Sequence, residues 1–444
     1  MSGDEWQKTD VGAPPSADGA AVPRWAKRLV LFGGLALMLP VPLLVLALCC
    51  VLSSISTYGG PSVEEGLVLF VLLAVGTVCG GGMFWHALQS LSGKPSRPLH
   101  LPPVWALVGG FVLSMATALG LARIRVADVL LAPPFIVAAA ALLPIAAVAW
   151  AVDRRPEGVT WRRAWVAFAA GGTVSVLLAV VLEILVPYAI LWGILDLGEP
   201  IRRAVEELVQ LLAEQDVARA LTRPVFLIGM AQYAVVGPLV EETVKAVVLL
   251  PLLWGRGASI SRREAFLLGT AAGAGFAVVE DLVYALGGGW GGVLAVRALG
   301  AAVHPLGTGL TALTAYLLKP GRGERRPPRW AAGFGLAWLQ HGVWNGGTLL
   351  WSALSGTSFF GITPRVRVIG TGIAVGLLAL LAVWGVAMAW GLRVVSRWLG
   401  KEEVSPYPTL PEMPEERAIA LWAVISLILL LPLGLIRLCQ CWGK

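Results

Sequence analysis

The chain has 444 residues, 57% of them hydrophobic and 14% charged, a formal net charge of +7 and a mean hydropathy of +0.77. This composition excludes an ordinary soluble domain, and many runs match the roughly 20 apolar residues a helix needs to cross hydrocarbon, so the chain reads as a polytopic membrane protein. No series of short alternating strands separated by turns occurs, so helices, whose backbone bonds are internal, do the spanning rather than a β-barrel.

Residues 1–27 are rich in Pro, Ala, Gly and charge and read as a disordered cytoplasmic tail. They do not resemble a cleavable signal peptide, because the first apolar run starts late and is long enough to span. Spans are predicted near 29–52, 66–88, 103–123, 129–152, 164–195, 225–254, 265–286, 293–318, 330–354, 367–392 and 416–436. The fold class is therefore an all-α transmembrane helix bundle of about eleven crossings, within a range of about nine to eleven. The fourth run carries Pro133 and Pro134 and is a candidate re-entrant segment. Four regions follow: the tail 1–27, an amino-terminal four-span region 28–160, a core 161–396, and a carboxyl-terminal loop with a final span, 397–444.

Lys and Arg fall on alternate connections: Arg24, Lys27 and Arg28; Lys94 and Arg97; Arg154, Arg155, Arg162 and Arg163; Arg256, Arg262 and Arg263; the cluster 319–329; and Arg393, Arg397 and Lys401. Positively charged loops stay cytoplasmic, so the amino terminus is predicted inside, in a membrane read as the bacterial cytoplasmic one. The positive balance is a topology signal rather than a nucleic-acid surface, because its charges are spread over loops. Residues 198–223 form a non-cytoplasmic connection in which Ile201, Val205, Leu208, Val209 and Leu212 recur at helical spacing opposite Arg202, Arg203, Glu206 and Glu207. This predicts an amphipathic surface helix. Cys49, Cys50 and Cys79 lie in or beside spans, and Cys439 with Cys441 makes a lone C-x-C, so neither a structural zinc site nor a disulfide framework is indicated.

The chemistry lies in four consecutive apolar segments that carry ionisable groups where lipid should exclude them: GPLVEETVK (237–245), GFAVVEDLVY (275–284), AVHPLGTG (302–309) and LQHGVWNGG (339–347). A charge near the bilayer centre costs roughly 2.5–3.5 kcal/mol on insertion scales, so such groups meet one another or line a wet cavity. Glu241 and Lys245 are four apart and share a helical face, with Glu242 turned about 100° away. Gly237 and Pro238 precede them, and a proline there bends the helix. Phe276, Glu280 and Tyr284 form an i, i+4, i+8 stripe with Asp281 adjacent; Arg297, His304 and Thr308 share a face; His341 and Asn345 are four apart. Glu241, Glu242, Glu280 and Asp281 outnumber Lys245 and Arg297, so a bound dication, protonated histidines or neutral acids must balance the remainder. His, His and Glu make a known zinc ligand set, with another carboxylate available to activate water.

At these residues the chain resembles the PrsW family of intramembrane proteases. The Glu-Glu-x-x-Lys pattern is met by Glu241, Glu242 and Lys245, Phe-x-x-x-Glu by Phe276 and Glu280, His-Pro by His304 and Pro305, and His-Gly-x-x-Asn by His341, Gly342 and Asn345. Asp281 departs from the Asn common in the family. The resemblance covers about residues 160–395 and extends to the CAAX-prenyl and bacteriocin-processing proteases. It implies hydrolysis of a membrane-anchored protein or peptide. Glu241 or Glu242 serves as general base, His304 and His341 as metal ligands or water-orienting groups, and Asn345 as oxyanion donor. Lys245 keeps one acid ionised, and Glu280 is a further ligand or orienting group, the ligand set being His304, His341 and Glu280 if zinc is bound. No H-E-x-x-H or G-x-S-x-G occurs. The rival reading is a proton- or cation-coupled transporter using the same charges, against which stands the lack of an inverted repeat.

Overall fold

The computed structural model describes residues 75–91, 94–124, 131–152, 159–188, 190, 197–213, 217–254, 260–286, 289–318, 327–355 and 369–400. Within them every named element is helical, and an isolated antiparallel bridge joins Pro98 to Thr160. The amino-terminal tail, the predicted spans 29–52 and 416–436, and Cys49, Cys50, Cys439 and Cys441 lie outside the described residues. Cys79 is a buried free thiol.

Helix α1, Gly82–Leu91, is entered through a π turn at Val75–Gly81. It is followed by α2, Val104–Leu121, and α3, Ala132–Val152. Pro133 and Pro134 sit in the first turn of α3, where a missing N–H costs no intrahelical bond, so this segment is one long helix rather than a break. Helix α4, Trp161–Glu183, is capped by Thr160, whose side chain accepts from the Arg163 amide, and is interrupted by a π turn at Gly171–Ser175 before entering another at Val181–Leu185. Helix α5, Gly198–Ala213, is the predicted amphipathic segment. Arg202 donates to Glu199 at 2.6 and 2.8 Å and also to Glu206, while Arg223 pairs with Glu207.

Helix α6, Pro224–Ala231, runs through a π turn at Gln232–Val236 into α7, Gly237–Trp254. Then come α8, Arg262–Leu286; α9, Trp290–Leu299; α10, Val303–Leu317; α11, Pro327–Ser355; and α12, Ile369–Leu399. By length and apolar composition α2, α3, α4, α8 and α12 can each cross a membrane, and α9 with α10 makes a sixth, broken crossing bent by 49°. The described residues thus carry five to six such crossings, not the eleven predicted for the whole chain. Helices α7 and α11 coincide with predicted spans but are not marked by composition, because α7 holds Glu241, Glu242 and Lys245 and α11 holds Arg329, Gln340, His341 and Asn345.

Helix α8 is the hub, buried along nearly its whole length and packed against α10, α4 and α3. Two glycines permit this. A Cβ on Gly273 would collide with the His304 carbonyl of α10, and one on Gly275 with the Phe168 carbonyl of α4. Small residues that let backbones touch are what membrane helices use in place of a hydrophobic drive. At one end of the bundle Arg163 pairs with Glu264 at 2.5 Å, Arg263 donates to the Val152 carbonyl at 3.2 Å, and Arg393 lies 4.2 Å over the Trp150 ring. An apolar cavity of ≈ 360 Å³ between the π turn Val75–Gly81, α3, α4 and α8 is lined by residues such as Val137, Ile145, Trp165, Phe168 and Val278 and by no charged side chain.

Candidate active site

The site begins with a backbone irregularity. Pro238 has no N–H for the Ala234 carbonyl one turn earlier, and the preceding π turn loosens the ladder further. Helix α11 packs on these carbonyls: Trp338 Nε1 donates to Val235 at 2.8 Å, Asn345 Nδ2 donates to Tyr233 at 3.2 Å, and Gly342 leaves no room for a Cβ against the Ala234 carbonyl. His341 lies on this same stretch of α11, so the contacts that repair the turn also fix His341 beside α7. The break between α9 and α10 does the same for His304, which occupies the first turn of α10 next to Pro305. A Cβ on Gly300 would strike the Trp344 ring, so the bend packs closely on α11.

Three helices, α7, α8 and α10, meet at Lys245, which is fully buried. Its ammonium lies 3.0 Å from each of Glu241 Oε2, Glu242 Oε1 and His304 Nδ1, and 3.7 Å from the centre of the Phe276 ring. An ammonium has three donors, and these three acceptors use them all. One helical turn carries both acids to the same cation by i, i+4 and i, i+3 spacing, so Glu242 is not turned to a separate part of the cavity as its 100° offset suggested. Coulomb attraction to a shared buried cation outweighs the helical offset.

Each histidine is held by a carboxylate through one nitrogen. His341 Nδ1 is 3.1 Å from Glu242 Oε1, and His304 Nε2 is 2.6 Å from Glu280 Oε2. The bonds assign the tautomers: Nδ1–H in His341 and Nε2–H in His304. His304 is thereby saturated, with Nδ1 accepting from Lys245. His341 is not. Its Nε2 is buried without a hydrogen-bond partner and lies 3.8 Å from Glu241 Oε2. The two rings meet edge to face, 4.5 Å between centres.

Beside this group, Arg297 forms the second charged centre. It donates to Glu280 Oε2 at 2.6 Å and to Asp281, lies 3.4 Å from His304 Nε2 and stacks 4.9 Å from the Tyr284 ring. Tyr233 donates to Tyr284 at 2.8 Å, tying the π turn to α8. Glu241, His304 and His341 can each offer one ligand atom such that all three atoms fall within 4.8 Å of one another. This donor set and the open His341 Nε2 suit a zinc-type ion. His304 Nδ1 can join it only once Lys245 withdraws. Glu280, expected among the ligands, is engaged by Arg297 and His304 instead, and Glu241 takes its place in the cluster.

A family profile described as PrsW family intramembrane metalloprotease matches residues 159–384, more than half of the chain. The chain belongs to this family. The matched stretch runs from the cap of α4 into α12 and includes every residue of both charged centres, and membership supports an intramembrane peptidase acting on a membrane-embedded protein. Neither curated proteins nor solved structures gave a match. Within the PrsW domain the residues singled out by pattern, Glu241, Glu242, Lys245, Glu280, His304 and His341, fall into one contiguous cluster. Asn345 stands one turn from His341, with Nδ2 on the Tyr233 carbonyl and a buried, unpartnered Oδ1.

The pattern reading missed Glu183, the sole residue of the Asp, Glu, Lys and Arg types in the run 164–194, whose Oε1 is buried without a partner. A lone acid in so long an apolar run was a usable signal. It also missed Tyr233, which lies outside the four segments, and Gln340, whose Nε2 donates to the Val303 carbonyl at 2.9 Å beside the α9–α10 break.

Proposed function

We propose that the protein is an intramembrane endopeptidase in which Glu241 and His341 prepare a water molecule for attack on a peptide bond of a membrane-anchored substrate. The observation that carries this reading is the buried, unpartnered Nε2 of His341 beside Glu241, inside the family-matched region. A water between these two groups would donate one hydrogen bond to the Nε2 lone pair while Glu241 takes its other proton as the oxygen bonds to the scissile carbonyl carbon and the carbonyl π pair moves onto its oxygen. That pair then re-forms the carbonyl as the C–N bond breaks, and Glu241 returns the proton to the leaving amine nitrogen. Of the two adjacent acids, Glu241 suits the base better: its side chain keeps 8% exposure while Glu242 has none.

Glu242 would act through His341, fixing its tautomer and aim, and Glu280 would do the same for His304. Lys245 would hold both acids ionised. Asn345 is assigned to the oxyanion through its second amide hydrogen, the first bracing the π turn. Where a zinc-type ion is bound, Glu241, His304 and His341 would hold it, and it would supply a polarised carbonyl and a more acidic water. The proposed setting is a bacterial cytoplasmic membrane with the amino terminus inside, supported by the alternation of basic loops.

The test pairs cleavage of single-span peptides in proteoliposomes with elemental analysis of the purified protein and of the His304→Ala, His341→Ala double variant. Hydrolysis that disappears in the double variant is the expected result. Near-stoichiometric zinc lost in the double variant would select the metal-bound form, and negligible metal in both the metal-free one. Cation flux without peptide hydrolysis would overturn the peptidase reading in favour of a carrier.

A further inference from the structure

Glu183 lies in the π turn Val181–Leu185 of α4, a helical irregularity of a kind frequent at functional sites. A Cβ placed on Gly237 would sit 3.5 Å from its Oε2. Gly237, Glu241 and Lys245 recur every four residues and share one face of α7. The Glu183 carboxylate therefore overlies the column that leads to Glu241, one turn or roughly 6 Å before it. It is within electrostatic reach of Glu241, Lys245 and Glu280.

The charges around it do not balance. Glu183, Glu241, Glu242, Glu280 and Asp281 face Lys245 and Arg297; Lys245 has committed its three hydrogens, and Arg297 is turned to Glu280 and Asp281. An arriving cation would offset part of this excess and give the buried, unpartnered Glu183 Oε1 a donor. Among the described residues the atoms close enough to hold a metal ion are those of Glu241, His304 and His341, and Glu183 is not one of them. The surroundings instead suit a side chain arriving from the lipid. Val180, Leu182 and Val186 are exposed on the α4 stretch, as are Val235, Val236 and Leu239 where α6 passes into α7. A membrane segment sliding over these apolar residues would bring any Lys or Arg it carries to Glu183, where pairing relieves the cost of burying either charge alone.

We infer that Glu183 is a specificity-determining residue that receives a Lys or Arg side chain of the membrane segment to be cleaved. This rests on the peptidase reading, and binding separates the two. Single-span peptides identical except for Lys, Gln or Glu at one position near the outer end are reconstituted with the full chain, and their binding is followed by energy transfer whether or not they are cut. The wild type should bind the Lys peptide about tenfold more tightly than the Gln peptide, Glu183→Gln should abolish that preference, and Glu183→Lys should invert it toward the Glu peptide. Equal binding of the three peptides by the wild type, at every position scanned, would overturn the inference. So would a Lys preference that survives in Glu183→Gln, or metal content that falls in that variant. A charge preference without cleavage of any peptide would instead remove the peptidase reading and leave Glu183 as a cation-recognising acid.

Discussion

The Lys245 and Arg297 centres are neighbours of similar make-up, each a buried cation between two acids adjacent in sequence, yet they differ in what they leave unpaired. Arg297 reaches Glu280 and Asp281 together, Glu280 continues to His304, and no side-chain oxygen or nitrogen of Arg297, Glu280 or Asp281 is among the buried atoms without a partner. Around Lys245 the accounting does not close: Glu242 Oε2, His341 Nε2 and Asn345 Oδ1 are all buried and unpartnered. A buried polar group without a partner costs about 1–3 kcal/mol. The Arg297 centre therefore reads as a clamp on α8, α9 and α10, and the Lys245 centre as the part that waits for water, substrate or an ion.

The sharpest way to break this contrast is to delete the waiting groups. His341→Ala and Glu241→Gln are each expected to lower peptide cleavage by roughly 10²–10⁴-fold with the helical circular dichroism unchanged. Cleavage persisting in either variant removes that residue from the chemistry. Next in size, Arg297→Met leaves Glu280 and Asp281 buried without their cation and should destabilise the protein by about 3–5 kcal/mol, measured by denaturant unfolding in detergent. If Arg297→Met stays as stable as wild type while losing activity, the clamp assignment is wrong.

A smaller effect tests the close approach beneath both centres. Gly273→Ala forces a methyl group against the His304 carbonyl and should cost about 1–3 kcal/mol in the same unfolding experiment, lowering activity as His304 shifts. An unaltered variant would mean that α8 and α10 have slack there. The smallest effect lies outside the bundle, on α5. The hydrogen bond from Arg202 holds the Glu199 carboxyl below the usual carboxylate range, and the same bond raises Arg202. Glu199 thus contributes stability that is present above its unfolded-state pKa and is lost as pH falls through the lower folded value. Both side chains are exposed, so the contribution is slight. In Arg202→Ala the Glu199 carbon resonance should titrate at higher pH, with cleavage unaffected; an unmoved titration would show the pair to be absent in solution.

Sequence by itself determined the class and most of the cast. Hydropathy requires helices because lipid offers no partner to an open backbone, and i, i+4 spacing placed Glu241 with Lys245 and His341 with Asn345 on shared faces. These are local properties, fixed by the repeat of a single helix. Only the tertiary structure decided who meets whom: that Lys245 serves both acids and His304, that Glu242 rather than a free cavity faces His341, that Arg297 draws Glu280 away from the metal-competent trio, and that Glu183 comes over from α4. Each depends on the π turn before Pro238, the 49° break before His304 and the glycine contacts of α8. Those features set distances between helices, which no periodicity within one helix encodes.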